Sequence, residues 1–130
     1  MGDAAKLGDR VVAIDTHIEM VPSPGGPVAT PTPNPFDGKL VQDLSATVVV
    51  DQMPLALEGS VALNASPHVP KAGPFQRPPS NRGTVMVGAP TVKADGRPVA
   101  RNGDPADTCN DPQDAPKGQV VAVSTVKVGS

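Results

Sequence analysis

Apolar residues come in short bursts along this chain. Val48 to Val50, Val85 to Val87 and Val120 to Val123 are each bounded by Gly, Pro or Asp. That is the punctuation of short strands: β-branched side chains suit a pleated surface, and the flanking residues end it. The predicted elements are short strands and turns, and the predicted fold class is mostly β.

The bursts are not independent. "ATVVVDQMPLALEGSVALNA" (46–65) and "PTVKADGRPVARNGDPADTC" (90–109) align at a constant offset, pairing Thr47 with Thr91, Asp51 with Asp95, Pro54 with Pro98, Ala56 with Ala100 and Gly59 with Gly103. A fixed offset across turn and apolar positions indicates one supersecondary unit used twice. Asp95-Gly96 supplies the positive φ of a type I′ hairpin turn, so each unit is predicted to be a small hairpin. Gln52 in place of the glycine predicts a looser turn, or one of another type, in the first copy. A shorter echo at Ala4–Asp9 gives a third copy of the corner Ala-x-x-Gly-[Asp/Ser], with Gly8, Gly59 and Gly103 at its turn.

Composition sharpens this picture. The 130 residues fit a single domain, 1–130, yet there is no Trp or Tyr and only Phe36 and Phe75 supply aromatic bulk, so the core is thin and another staple is expected. Gly 13 and Pro 17 approach a disordered composition, but the net charge of only −2 and the valine clusters oppose it. Prolines at 22, 24, 27, 31, 33 and 35 are expected to stiffen a long connection ahead of the first full hairpin, with a docking motif as the alternative.

Scattered charge gives no footprint for nucleic acid, and no apolar run reaches the roughly 20 residues of a membrane span. The stretch "MGDAAKLGDR" lacks the apolar segment of a signal peptide, and Lys6 spoils a myristoylation match. The expectation is a chain that is cytoplasmic at first, with neither nucleic acid nor a stable membrane anchor as partner.

Candidate chemistry is sparse, which makes it easy to locate. His17 lies nine residues after Gly8, His68 nine after Gly59, and Cys109 six after Gly103. These are the chain's only histidines and its only cysteine. If the corners surround a common axis, the three side chains can meet, and Cys and His are the ligands zinc prefers. A structural ion would tie remote segments together, with folding free energy on the order of 10 kcal/mol in small zinc modules. The competing reading is a hydrogen-bonded histidine pair and a small buried thiol. Three protein ligands plus water would also suit a zinc hydrolase, with Asp15, Glu19, Asp107 and Asp111 as nearby acids or bases, but no HExxH-type helix, nucleophile elbow or phosphate loop accompanies them. A nucleophilic Cys109–His68 pair lacks surroundings that would lower the thiol pKa.

Pro98-Val99-Ala100-Arg101 is followed by Gly103-Asp104, and in order along the chain stand "PSPGGP" (22–27), "PTPNPFDG" (31–38), "SPHVP" (66–70), "GTVMVG" (83–88) and "DTCNDP" (107–112). Together with the corners and their His and Cys residues, these motifs resemble the PAAR-domain proteins, the spike tips of phage-tail-like contractile injection machines, whose proline-alanine-alanine-arginine motif carries Val99 here at its second position. The resemblance implies a small cone of short strands and hairpins in pseudo-threefold arrangement, with structural zinc near the apex held by His17, His68 and Cys109. Asn34 stands where the family pattern carries a histidine, leaving the fourth ligand open. The implied partner is a trimeric β-helical spike, one tip per trimer, with the tip assembled in the cytoplasm and then carried at the end of the particle to aid puncture of the target envelope. The implied role is mechanical, not enzymatic. An adaptor for toxin cargo is the alternative; the close spacing of "TVKVGS" to the last unit suggests a plain tip without an extension domain.

Overall fold

The computed structural model describes residues 2–129, which contain strands and turns and no helix. The strands are β1 (Gly2–Asp3), β2 (Arg10–Val21), β3 (Val28–Gln42), β4 (Val49–Val50), β5 (Met53–Pro54), β6 (Val61–Asn64), β7 (Arg82–Val85), β8 (Lys93–Ala94), β9 (Arg97–Pro98), β10 (Pro105–Thr108), β11 (Ala115–Val121) and β12 (Lys127–Val128). Six of them close a barrel in the order β10-β11-β2-β3-β6-β7; the rest form two hairpins, β4/β5 and β8/β9, and a third, hairpin-like pair, β1/β12, whose strands come from remote segments with no turn between them. The mostly β prediction is met.

The three corners are equivalent in backbone detail. Gly8, Gly59 and Gly103 have φ of 89°, 93° and 91°, a region L side chains avoid. In each corner the residue two before the glycine donates its N–H to a side-chain oxygen: Lys6 to Asp9 Oδ2 (2.9 Å), Leu57 to Ser60 Oγ (2.9 Å) and Arg101 to Asp104 Oδ2 (2.7 Å). Each glycine N–H reaches the carbonyl of a strand residue, Leu40, Val85 or Val120.

The corners join in a closed ring. Ala5 N–H donates to Ala100 O (2.9 Å), Ala100 N–H to Ala56 O (3.0 Å) and Ala56 N–H to Ala5 O (2.8 Å). All three alanines are fully buried. One chain thus carries a pseudo-threefold axis through three alanines, the smallest side chains that still allow three backbones to converge.

The two hairpins turn at Asp51-Gln52 and Asp95-Gly96, and all four of these residues have positive φ. The expectation of a different turn in the first copy is therefore corrected: the Val50↔Met53 pair closes a two-residue loop, which demands left-handed backbone at both positions and sets Gln52 at φ 70° despite its side chain. The third, hairpin-like pair joins Gly2 with Val128 and Asp3 with Lys127.

The proline-rich segment is also corrected: Pro22, Pro24 and Pro27 lie in the turn at 22–27, whereas Pro31, Pro33 and Pro35 belong to no connection but to one strand, residues 28–42, paired with β2 from Val21↔Val28 to Arg10↔Lys39. Thr16 and Ile18 direct their N–H and C=O groups to Asn110, Asp111 and Gln76, away from β3. Their cross-strand partners Pro33 and Pro31 therefore turn their hydrogen-free nitrogens to the outer side of β3. Proline there removes no ladder bond and blunts an edge.

The apolar core has two clusters: one among the two-stranded units, with Val50, Leu55, Leu57, Val99 and Val128, and one from the alanine ring to Leu40, Val85, Val120, Val11 and Phe36. The Phe36 ring is accommodated because Gly38 and Gly83 lack Cβ atoms, which would stand 2.8 and 3.2 Å from it. Beyond Phe36 the inward positions of β2 change character: Asp15, His17 and Glu19 are completely buried while Ile14 is exposed.

Candidate metal centre

The inverted alternation of β2, polar inward and apolar outward, calls for a polar interior. Asp15 and His17 project there from β2, Cys109 follows β10 directly, and His68 comes from the segment after β6. Their ligand atoms lie within 4.8 Å of one another, and the cluster can hold a metal ion. His17, His68 and Cys109 thus converge as the corner spacing anticipated.

Each side chain is held by local structure. His68 donates its backbone N–H to Asn81 Oδ1 (2.9 Å), its ring Nδ1 is 3.4 Å from Asn64 Nδ2, and its Nε2 is 2.8 Å from Asp15 Oδ2. Asp15 Oδ1 accepts from the Thr108 hydroxyl and from Asn110 Nδ2 (3.4 Å). Cys109 Sγ is 3.5 Å from Asp15 Oδ2. The His17 and His68 rings are tilted with centroids 5.1 Å apart.

His17 stands apart electrostatically. Both ring nitrogens are buried without a hydrogen-bond partner, an uncommon and costly state for polar atoms. Burial lowers its pKa, with the Asp111 charge acting against that trend, so the ring is neutral and a lone pair is free to ligate. Burial, followed by the charge of Asp15, pushes the Cys109 thiol up to about 11. A thiol so raised is a poor nucleophile, but a bound cation reverses the balance and draws out the thiolate. Two imidazoles, one thiolate and one carboxylate fit a dipositive ion, and the orphaned His17 nitrogens are the observation that favours one.

The other acidic residues divide clearly. Glu19 accepts backbone N–H groups from Lys71, Ala72 and Gly73, and the bond from Ala72 leads the effects that lower its pKa; it anchors that loop. Asp107 lies outside the cluster. Asn34 is buried, but its Nδ2 donates to Thr32 O (3.1 Å), turned to its own strand. Asp15 is the ligand candidate the sequence reading missed, having considered it only as an acid or base beside the metal. Its signal was positional: it sits directly opposite Asn34 in the β2–β3 ladder.

Comparison of the chain with protein-family models and with curated proteins finds no match.

Proposed function

We propose that this protein is the metal-stapled tip that caps and sharpens the trimeric β-helical spike of a contractile injection system and aids puncture of the target envelope. The observation that carries the reading is the closed ring of Ala5, Ala56 and Ala100. A single chain with three equivalent corners offers each subunit of a trimer nearly the same contacts, which resolves the mismatch of one tip on three spike chains.

The hairpin end suits such a partner. A depression of about 250 Å³ is lined by Val48, Val92 and Val126, one from each hairpin unit, together with Val50, Leu55 and Val99. The three valines stand at equivalent positions and are 36, 37 and 42% exposed. Contact residues repeating about an axis are what a trimer's blunt end would meet.

Zinc is the metal this donor set favours, because zinc takes thiolate, imidazole and carboxylate ligands alike and closes its structural sites with four of them. His17, His68, Cys109 and Asp15 hold it, linking β2, the segment after β6 and the end of β10. A bound ion supplies rigidity where the core has given way to polar side chains. The role is mechanical and involves no catalytic step; the chain assembles in the cytoplasm and travels at the end of the particle.

The test is co-purification. The tip should bind a trimeric β-helical spike at one copy per trimer without cargo present; binding to a toxin in the absence of the spike would favour the cargo adaptor instead.

A further inference from the structure

We infer that Asp111 is a positioning residue that selects which nitrogen of His17 meets the metal. This rests on the metal reading of the cluster and goes beyond its ligands. Asp111 follows the Cys109 segment, and its side chain is 2% exposed. Its Oδ2 lies 3.6 Å from His17 Nδ1, just outside hydrogen-bond range, and accepts the Ile18 N–H at 2.7 Å. Its Oδ1 accepts from Arg77 Nε at 3.0 Å. The Asp111 backbone N–H donates to Thr16 O at 2.8 Å. The carboxylate is thus pinned on both sides of His17 along β2 and clamped from outside by an arginine.

A carboxylate fixed beside one imidazole nitrogen decides the tautomer: the proton resides on Nδ1, facing Asp111, and the lone pair on Nε2 is left for the ion. Ligating histidines commonly donate their second N–H to such a partner, which orients the ring and makes it a better ligand. Arg77 acts one step further out. Its side chain is 52% exposed, and by fixing Asp111 it holds His17 without touching the cluster.

The decisive experiment uses the whole chain, labelled with ¹⁵N, and zinc ions alone as the probe. Long-range ¹H–¹⁵N spectra identify the protonated and the metal-bound nitrogen of each histidine; with only His17 and His68 present, a His68→Gln variant assigns them. The expected result is zinc on His17 Nε2 and a proton on Nδ1. Asp111→Asn should weaken zinc binding by about 10- to 100-fold in chelator competition, and Arg77→Gln, a surface change, by less, with faster exchange of the His17 Nδ1 proton and unchanged His68 signals. A purely structural Asp111 would move the stability of the metal-free protein but neither the tautomer nor that exchange rate. Zinc bound through His17 Nδ1, or undiminished affinity in Asp111→Asn, overturns the assignment while leaving the metal reading intact. A parent that takes up no zinc overturns both.

Discussion

Asp15 and Asn34 are direct cross-strand partners in the β2–β3 ladder, and both side chains are buried. Facing positions share one side of a sheet, so either residue can serve the same interior volume. Asp15 takes it, with one carboxylate oxygen 2.8 Å from His68 Nε2. Asp15→Asn should therefore weaken zinc binding by at least about tenfold, as loss of a charged ligand does, whereas Asn34→Ala should leave zinc content near that of the parent. Metal analysis of the two purified variants checks this; the reverse order would assign the fourth ligand to Asn34 and not to Asp15.

Zinc content and heat resistance should fall together when the thiol is removed. The parent is expected to carry about one zinc per chain, and Cys109→Ser to lose most of it, with a lowered midpoint of thermal unfolding that excess zinc does not restore. Equal metal content and equal midpoints would refute the stapling role.

The metal-free protein should be sensitive to alkali in a defined window. The Cys109 thiol is raised from 9.0 to about 11 by burial and by Asp15. A raised thiol pKa means that the unfolded chain loses its proton first, so the contribution of this thiol is constant below about pH 9 and stability declines as pH rises from there towards 11, by on the order of 2 kcal/mol. Urea unfolding of chelator-treated protein across this range measures it. With zinc bound the thiolate is already formed, and the decline should be absent.

Gly103 at φ 91° is replaceable only at a cost. Gly103→Val places a β-branched side chain in left-handed backbone, and about 1–3 kcal/mol of destabilisation is expected. An unchanged unfolding midpoint would contradict the role assigned to the corner.

The hairpin end and the metal end should fail separately. Val92→Asp puts a charge into the apolar depression and should abolish association with a spike trimer while zinc content stays that of the parent. Retained association, measured by size-exclusion chromatography with light scattering, would move the docking surface elsewhere.

The sequence was most informative where a rule is local. Asp95-Gly96 and the three corner glycines specify their own backbone, so the hairpin turns and the repeat were visible, and the repeat in turn pointed to His17, His68 and Cys109. Gln52 misled because the two-residue closure between Val50 and Met53 overrides the preference of its side chain. The third pair was invisible because β1 and β12 lie at remote positions in the chain. That Pro31 and Pro33 belong to a strand was not legible, because their place in it depends on where Thr16 and Ile18 direct their backbone groups, and nothing within residues 28–42 records that.

The ladder joining residues 2–3 to residues 127–128 also bears on how the protein is born. During synthesis the two turn-closed hairpins can form once residues 54 and 98 have emerged, but the β1/β12 pair waits for residues 127–128. Until then Ala4 lacks its bond to Val126 O, and a nascent chain exposes one unclosed third of its apolar end. Maturation should therefore be late and concerted, with a rate set by the search of distant segments for each other.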